Sequence, residues 1–257
     1  MEYPITTEGK YQFVETKGQG ETIILLHGLF GTLDNFQYLL EDFGNTHNVI
    51  APIMPVFELP LRHVSVDGLV DFMVGFVAFK KLQKFHILGN SLGGHIAILY
   101  ALKEPSHVLS IILTGSSGLY EKAMGTTFPR REDKEYIRKK IQSTFYDPAS
   151  ASDAMIDEVF AAVNDRGKLI RAISMAKSAL RHNLADKLGQ INTPALLIWG
   201  NQDAITPPFV GEKFKELLPN ATLFFIDKCG HAPMLERPEE FNKYLTDFLN
   251  KLALSRG

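Results

Sequence analysis

Four short, largely apolar runs set the frame of this chain: Thr22–Leu26, Phe85–Leu88, Val108–Thr114 and Ala195–Trp199. A strand with one wet face alternates polar and apolar residues, whereas a strand covered on both faces does not. Two further strand-sized segments, Asn48–Ala51 and Ala221–Ile226, fall between helical patterns. Val66–Leu82 carries Leu69, Val70, Met73, Val77 and Leu82 at helical spacing, and Pro208–Leu218 and Pro238–Leu252 read as helices near the end of the chain. Buried strands joined by helical crossovers predict a mostly parallel central sheet flanked by helices, the α/β class. Tyr11–Glu15 alternates, which predicts an antiparallel edge strand ahead of the Lys17-Gly18-Gln19-Gly20 turn. Asp34 is expected to cap the helix that holds Phe36, Leu39 and Leu40.

The alternation breaks from about Gly118 to Asp186. Three helical patterns occur there without a strand, over Lys134–Phe145, Ser152–Val163 and Lys168–Arg181. An all-helical insertion within an α/β alternation reads as a cap over a site. The expected division is a core of residues 1–117 and 187–257 with a helical cap at 118–186. Met124, Phe128, Phe145, Met155, Phe160 and Met175 are its candidate pocket walls.

Chemistry concentrates at Gly89-Asn90-Ser91-Leu92-Gly93-Gly94, between the Phe85–Leu88 run and a helical pattern with Ile96, Leu99, Tyr100 and Leu102. This is G-x-S-x-G in a strand–turn–helix setting, a nucleophile elbow. A serine hydroxyl is a weak nucleophile and must stand at a sharp turn where a base reaches it. Asp203 follows the Ala195–Trp199 strand, and His231 follows the Ala221–Ile226 strand. Open α/β sheets place their sites on such loops, at the carboxyl ends of the strands. The three residues are therefore expected to converge as nucleophile, orienting acid and base. Asp227 belongs to a strand end rather than to a separate converging loop. His95 should lie below the serine as a structural residue, and His47, His63, His86, His107 and His182 fall in no constellation.

Acyl transfer also needs two backbone N–H groups aimed at the developing oxyanion. Leu92, directly after the serine, is the first candidate. Leu29, in the loop His27-Gly28-Leu29-Phe30-Gly31 after the Thr22–Leu26 strand, is the second, with Phe30 as its alternative. His27 is expected to brace that loop. Cys229 is expected to be buried packing rather than a nucleophile.

These motifs resemble the α/β-hydrolase superfamily, in its capped form, over nearly the whole chain. The resemblance rests on His27-Gly28, the Gly89–Gly94 elbow, Trp199-Gly200-Asn201-Gln202-Asp203 and Gly230-His231. It implies Ser91 as nucleophile, His231 as base then acid, Asp203 as orienting acid, and hydrolysis without a cofactor. Serine at 91 is unlike the haloalkane dehalogenases and epoxide hydrolases, which place aspartate there. Asn90 and Cys229-Gly230-His231 are similar to meta-cleavage product hydrolases, which cleave a carbon–carbon bond in vinylogous diketo acids. Those enzymes usually carry tryptophan after the histidine, where this chain has Ala232, and a cap arginine for the substrate carboxylate. Arg166, Arg171 and Arg181 are the candidates for that role here. The Leu29-Phe30-Gly31 loop and Ala232-Pro233 look equally like carboxylesterases, and a carboxylesterase acting on small to medium hydrophobic esters is the preferred expectation. A non-catalytic binding protein on the same fold is the third possibility.

The resemblance implies a small ester and water as partners, and composition gives no reason to expect others. The 257 residues suit one α/β domain with an insertion, and a net charge of −2 gives no reason to expect nucleic acid. The apolar runs are strand-sized, so no membrane span is expected. MEYPITTEGK lacks the basic and apolar segments of a signal peptide. One cysteine, Cys229, permits no internal disulfide and suits a reducing cytoplasm. No Cys/His cluster has metal-ligand spacing. Monomer and homodimer both remain open.

Overall fold

The structure, a computed structural model, describes residues 3–120 and 130–256. Its eight strands are β1 (Thr6–Glu8), β2 (Tyr11–Glu15), β3 (Gly20–Leu26), β4 (His47–Pro52), β5 (Phe85–Asn90), β6 (Val108–Thr114), β7 (Ala195–Gly200) and β8 (Ala221–Ile226). They form one sheet in the order β1-β2-β4-β3-β5-β6-β7-β8. The β1–β2 and β2–β4 pairs are antiparallel, and every pair from β4 to β8 is parallel. Tyr11–Glu15 is therefore antiparallel as expected, but it is not the edge. Thr6–Glu8 folds back outside it in the register Thr6↔Phe13.

The helices named here are α1 (Gln37–Phe43), α2 (Val66–Lys80), α3 (Leu92–Lys103), α4 (Lys134–Gln142), α5 (Asp153–Asn164), α6 (Arg166–Arg181), α7 (Ala185–Leu188), α8 (Pro208–Leu217), α9 (Pro233–Glu236) and α10 (Pro238–Arg256). The unbroken apolar runs are explained by two cores, one on each face of the sheet. Ile24, Leu26, Ile87, Ile111, Leu113 and Leu197 point to α2, α3 and α8. Their neighbours Ile23, Leu25, Leu88, Ile112, Leu196 and Ile198 point to α1 and α10. Successive side chains on a strand face opposite ways, so each run supplies both layers.

Local chemistry sets the helix ends. Ser65 caps α2 by accepting from Gly68 N at 3.0 Å, and Lys81 closes it in the left-handed region at φ 56°. Asp34 does not cap: it lies inside a short 3-10 turn, Leu33–Phe36, that leads into α1.

Between β6 and β7 the described residues form α4–α7 and short turns. Ile137, Val159 and Val163 make a small core of their own, against which Phe30 of the sheet's loop packs. Met175, Ala179, Leu184 and Leu188 join the core on the α2–α3 face. The insertion is thus anchored to the sheet through its C-terminal part. Among the described residues, no helix is long and apolar enough to cross a membrane.

Candidate active site

Ser91 stands where β5 turns into α3. Its backbone is forced to φ 54°, ψ −118°, a region costly for a residue with a Cβ, so the turn is strained and holds the side chain out of the strand line. The strain is imposed by close packing. A Cβ at Gly93 would overlap the Leu26 carbonyl of β3, and one at Gly89 would overlap the Gly93–Gly94 backbone. Ser91 N donates to Thr114 O at 3.1 Å, and Ser91 O accepts from Gly94 N and Ser117 N at 3.0 and 3.1 Å. The elbow is therefore gripped by β6 and by the loop after it.

Asp203 and His231 meet. His231 Nδ1 lies 2.9 Å from Asp203 Oδ2, with the carboxylate side chain fully shielded and the imidazole 12% exposed. Asp203 Oδ1 accepts from Ile205 N and Thr206 N at 2.8 and 2.9 Å, and Oδ2 accepts from Thr206 Oγ1 at 2.9 Å. The aspartate thus shapes its own turn, and the turn aims the carboxylate at the imidazole. Trp199 Nε1 donates to Thr206 O at 2.7 Å and moors the loop to β7. An acceptor-only carboxylate facing Nδ1 places the imidazole proton on Nδ1 and leaves Nε2 free to accept. Asp227 is exposed and takes a hydrogen bond from Gln202 Nε2 at 3.0 Å instead.

The His231 loop is also tied to the elbow. Asn90 Nδ2 donates to His231 O at 3.0 Å and to Thr114 O at 3.1 Å. Ser91 and His231 line one cavity of about 200 Å³, together with Gly28, Leu29, Phe30 and Asn35. Phe145 and Met155 are among its walls, as expected. Met175 is buried in the sheet's core and Phe160 packs in the small cluster of the insertion. Met124 and Phe128 lie outside the described residues. The cavity is lined mainly by apolar side chains, and its charged wall residue is Lys140, whose ammonium pKa burial lowers. Arg166, Arg171 and Arg181 are not among its walls. Arg171 donates to Leu59 O and Gly167 O.

The His27–Gly31 loop lies against the serine: a Cβ on Gly28 would come within 3.3 Å of Ser91 Cβ. His27 braces it as expected. Its Nδ1 donates to Gly28 O at 2.8 Å while Nε2 accepts from Met54 N at 3.1 Å. That pattern requires a neutral ring, and burial lowers its pKa. Gly28 O also accepts from Gly31 N at 3.1 Å. The described peptides are all trans, so fixing the Gly28 carbonyl turns the Leu29 N–H of the same peptide to the opposite side. Leu92 begins α3, where the first N–H groups have no partner within the helix.

His95 is buried behind the elbow with Nδ1 3.2 Å from Ser117 Oγ, and burial followed by the nearby His182 pushes its pKa down to about 3. Neutral His27 and His95 make a prediction. In the unfolded chain both bind protons near pH 6.5, whereas in the fold they do so only at lower pH. Their stability contribution is complete above about pH 6.5 and is lost as pH falls toward the lower folded values. Thermal melts from pH 8 to 4 should show Tm dropping from just below pH 6.5. A flat Tm down to pH 5 would contradict it.

One histidine departs from expectation. His86 does sit in a constellation, with Nδ1 2.7 Å from Ser110 Oγ and Nε2 3.0 Å from Glu21 Oε2. It falls at the opposite end of the sheet from the elbow, and Ser110 is wholly buried. This trio ties β3, β5 and β6 together, and Arg256 of α10 adds a 2.8 Å pair with Glu21. Glu236 was not singled out from sequence either. Buried at 8% exposure, it accepts from Gly230 N at 2.9 Å and Tyr146 N at 2.7 Å.

The eight-stranded, mostly parallel sheet with helices on both faces and a serine elbow at the end of β5 defines the α/β-hydrolase fold. The sequence pattern of the alpha/beta hydrolase family matches residues 23–244, and the chain belongs to that family. Monoacylglycerol lipase abhd6-B of Xenopus laevis is 27% identical over 98% of this chain and 83% of its own. A 2-hydroxy-6-oxononadienedioate/2-hydroxy-6-oxononatrienedioate hydrolase of Paraburkholderia phymatum is 26% identical over 95% of this chain and 92% of its own. Among solved structures, MGS-MChE2, an alpha/beta hydrolase enzyme from the metagenome of sediments from the lagoon of Mar Chica, Morocco, has a TM-score of 0.80. It is 38% identical, over 96% of this chain and 98% of that one.

Proposed function

We propose that this hydrolase is a serine carboxylesterase acting on small to medium hydrophobic esters through an acyl-enzyme on Ser91. The observation that carries the reading is the His231 imidazole, oriented from behind by the buried Asp203, which lines one largely apolar cavity together with the strained serine. His231 Nε2 takes the Ser91 proton as Oγ attacks the ester carbonyl. The Leu92 and Leu29 N–H groups receive the oxyanion, with Phe30 as the alternative donor beside Leu29. His231 then returns the proton to the departing alcohol. It next activates a water that releases the acid and restores Ser91. Asp203 holds the proton on Nδ1 throughout and stabilises the transient imidazolium. Residues 118–186 serve as the cap, with Phe145 and Met155 shaping the acyl side of the cavity. The single, buried Cys229 fits a cytoplasmic enzyme.

A carbon–carbon hydrolase is the second reading, supported by the Paraburkholderia relative and by Asn90. In that reading Lys140 would take the substrate carboxylate, because the three cap arginines do not line the cavity. Steady-state turnover of p-nitrophenyl esters from acetate to laurate, beside a meta-cleavage diketo acid, separates the two. The expected result is efficient hydrolysis of short and medium esters and little cleavage of the diketo acid. Preferred turnover of the diketo acid would overturn the esterase reading.

A further inference from the structure

We propose that Glu236 is a positioning residue whose carboxylate locks the stem of the cap to the backbone of the base, His231. The inference rests on the esterase reading above. Glu236 ends the short α9, five residues beyond His231, yet it faces backward. Oε1 accepts from Gly230 N at 2.9 Å, next to His231, and Oε2 accepts from Tyr146 N at 2.7 Å in the segment after α4. A third bond closes the junction: His231 N donates to Thr144 O at 2.9 Å. Thr144 and Phe145 line the cavity that holds Ser91. One buried carboxylate therefore sets both the seat of the imidazole and the position of the cavity wall.

The chemistry of the group suits this role. Two N–H donors from distant segments need an acceptor at each end, which a carboxylate supplies and a neutral amide does not. Burial at 8% exposure strengthens both bonds and makes the loss of either costly. The packing at Gly230 leaves no slack. A Cβ there would lie 2.6 Å from Thr144 O and 2.9 Å from Phe145 Cα.

Glu236→Gln keeps the volume but turns an NH₂ toward one of the two N–H groups, opening one arm. Gly230→Ala wedges the same junction from the other side and leaves Glu236 intact. Each purified variant is assayed on p-nitrophenyl acetate and octanoate beside wild type and Ser91→Ala, with circular dichroism melts to confirm folding. On acetate, which barely touches the wall, kcat is expected to fall about 10- to 100-fold with KM little changed, because the base is displaced. On octanoate KM should rise as well, since the Phe145 wall moves with it. A folded Glu236→Gln or Gly230→Ala enzyme with wild-type kcat on acetate overturns the proposal, as does a change confined to KM. If Glu236→Gln does not fold, Gly230→Ala decides. Activity surviving in Ser91→Ala would mark failure of the underlying esterase reading. Strict dependence on Ser91 with full turnover in the junction variants would mark failure of this proposal alone.

Discussion

Ser91→Ala is expected to lower kcat on a short p-nitrophenyl ester by on the order of 10⁴-fold or more while leaving the melting temperature near that of wild type. The hydroxyl is the only atom removed, and the elbow is held by backbone bonds: Ser91 N to Thr114 O, and Gly94 N and Ser117 N to Ser91 O. Alanine occupies the same strained φ of 54° at similar cost, so the fold should tolerate the change. Loss of hydrolysis in a folded variant isolates the chemistry. Residual activity would come from backbone N–H donors and binding alone. Turnover at wild-type level would mean that the ester is cleaved elsewhere and would end the acyl-enzyme scheme.

Asp203→Asn is expected to cost about 10⁴-fold in kcat with KM little changed. Oδ1 can keep its bonds from Ile205 N and Thr206 N as an amide oxygen, so the turn survives. The other end becomes NH₂ and now faces both the Thr206 hydroxyl and His231 Nδ1. Thr206 Oγ1 can turn to accept. Nδ1 also lies 3.1 Å from Oδ1, but that oxygen already takes two backbone N–H groups. The NH₂ at the nearer position therefore favours an imidazole that accepts on Nδ1 and carries its proton on Nε2. An imidazole in that tautomer cannot take the serine proton. Asp227→Asn is the matched control, because Asp227 is exposed and engaged with Gln202. Activity retained in Asp203→Asn and lost in Asp227→Asn would reverse the assignment of the acid.

Much of this arrangement was legible in the sequence because backbone crowding leaves few residue choices. Gly89 and Gly93 stand where another backbone passes too close for a Cβ, so the elbow can be recognised from five letters between a strand and a helix. Asp203 and His231 were legible from position, since each lies on the loop after a parallel strand. Other features depend on distances that the sequence does not display. Thr6–Glu8 is too short to show a period, and its place comes from pairing with Tyr11–Phe13. The His86–Ser110 contact follows from the β5–β6 register, where those two residues are partners. Whether Phe145 or Met175 faces the cavity depends on the roll of each segment against the sheet. Glu236 gave no signal because its partner, Tyr146, is 90 residues away.

The order of the strands has a consequence for how activity fails. Ser91 directly follows β5, which has β3 on one side and β6 on the other, deep in the sheet. Asp203 and His231 ride on the loops that follow β7 and β8, and among the described residues β8 pairs on one side only, with β7. The two loops are also stitched to each other, Gln202 N to Cys229 O and Asn201 N to Ile226 O. Edge elements open at lower free energy than central ones. A transient peeling of β8 with its loop would carry the imidazole away from a serine that stays in place on an intact central sheet. On the proposed mechanism, inactivation on gentle heating or in mild denaturant is expected to precede unfolding and to reverse when the edge zips back, which activity and circular dichroism followed in parallel would check.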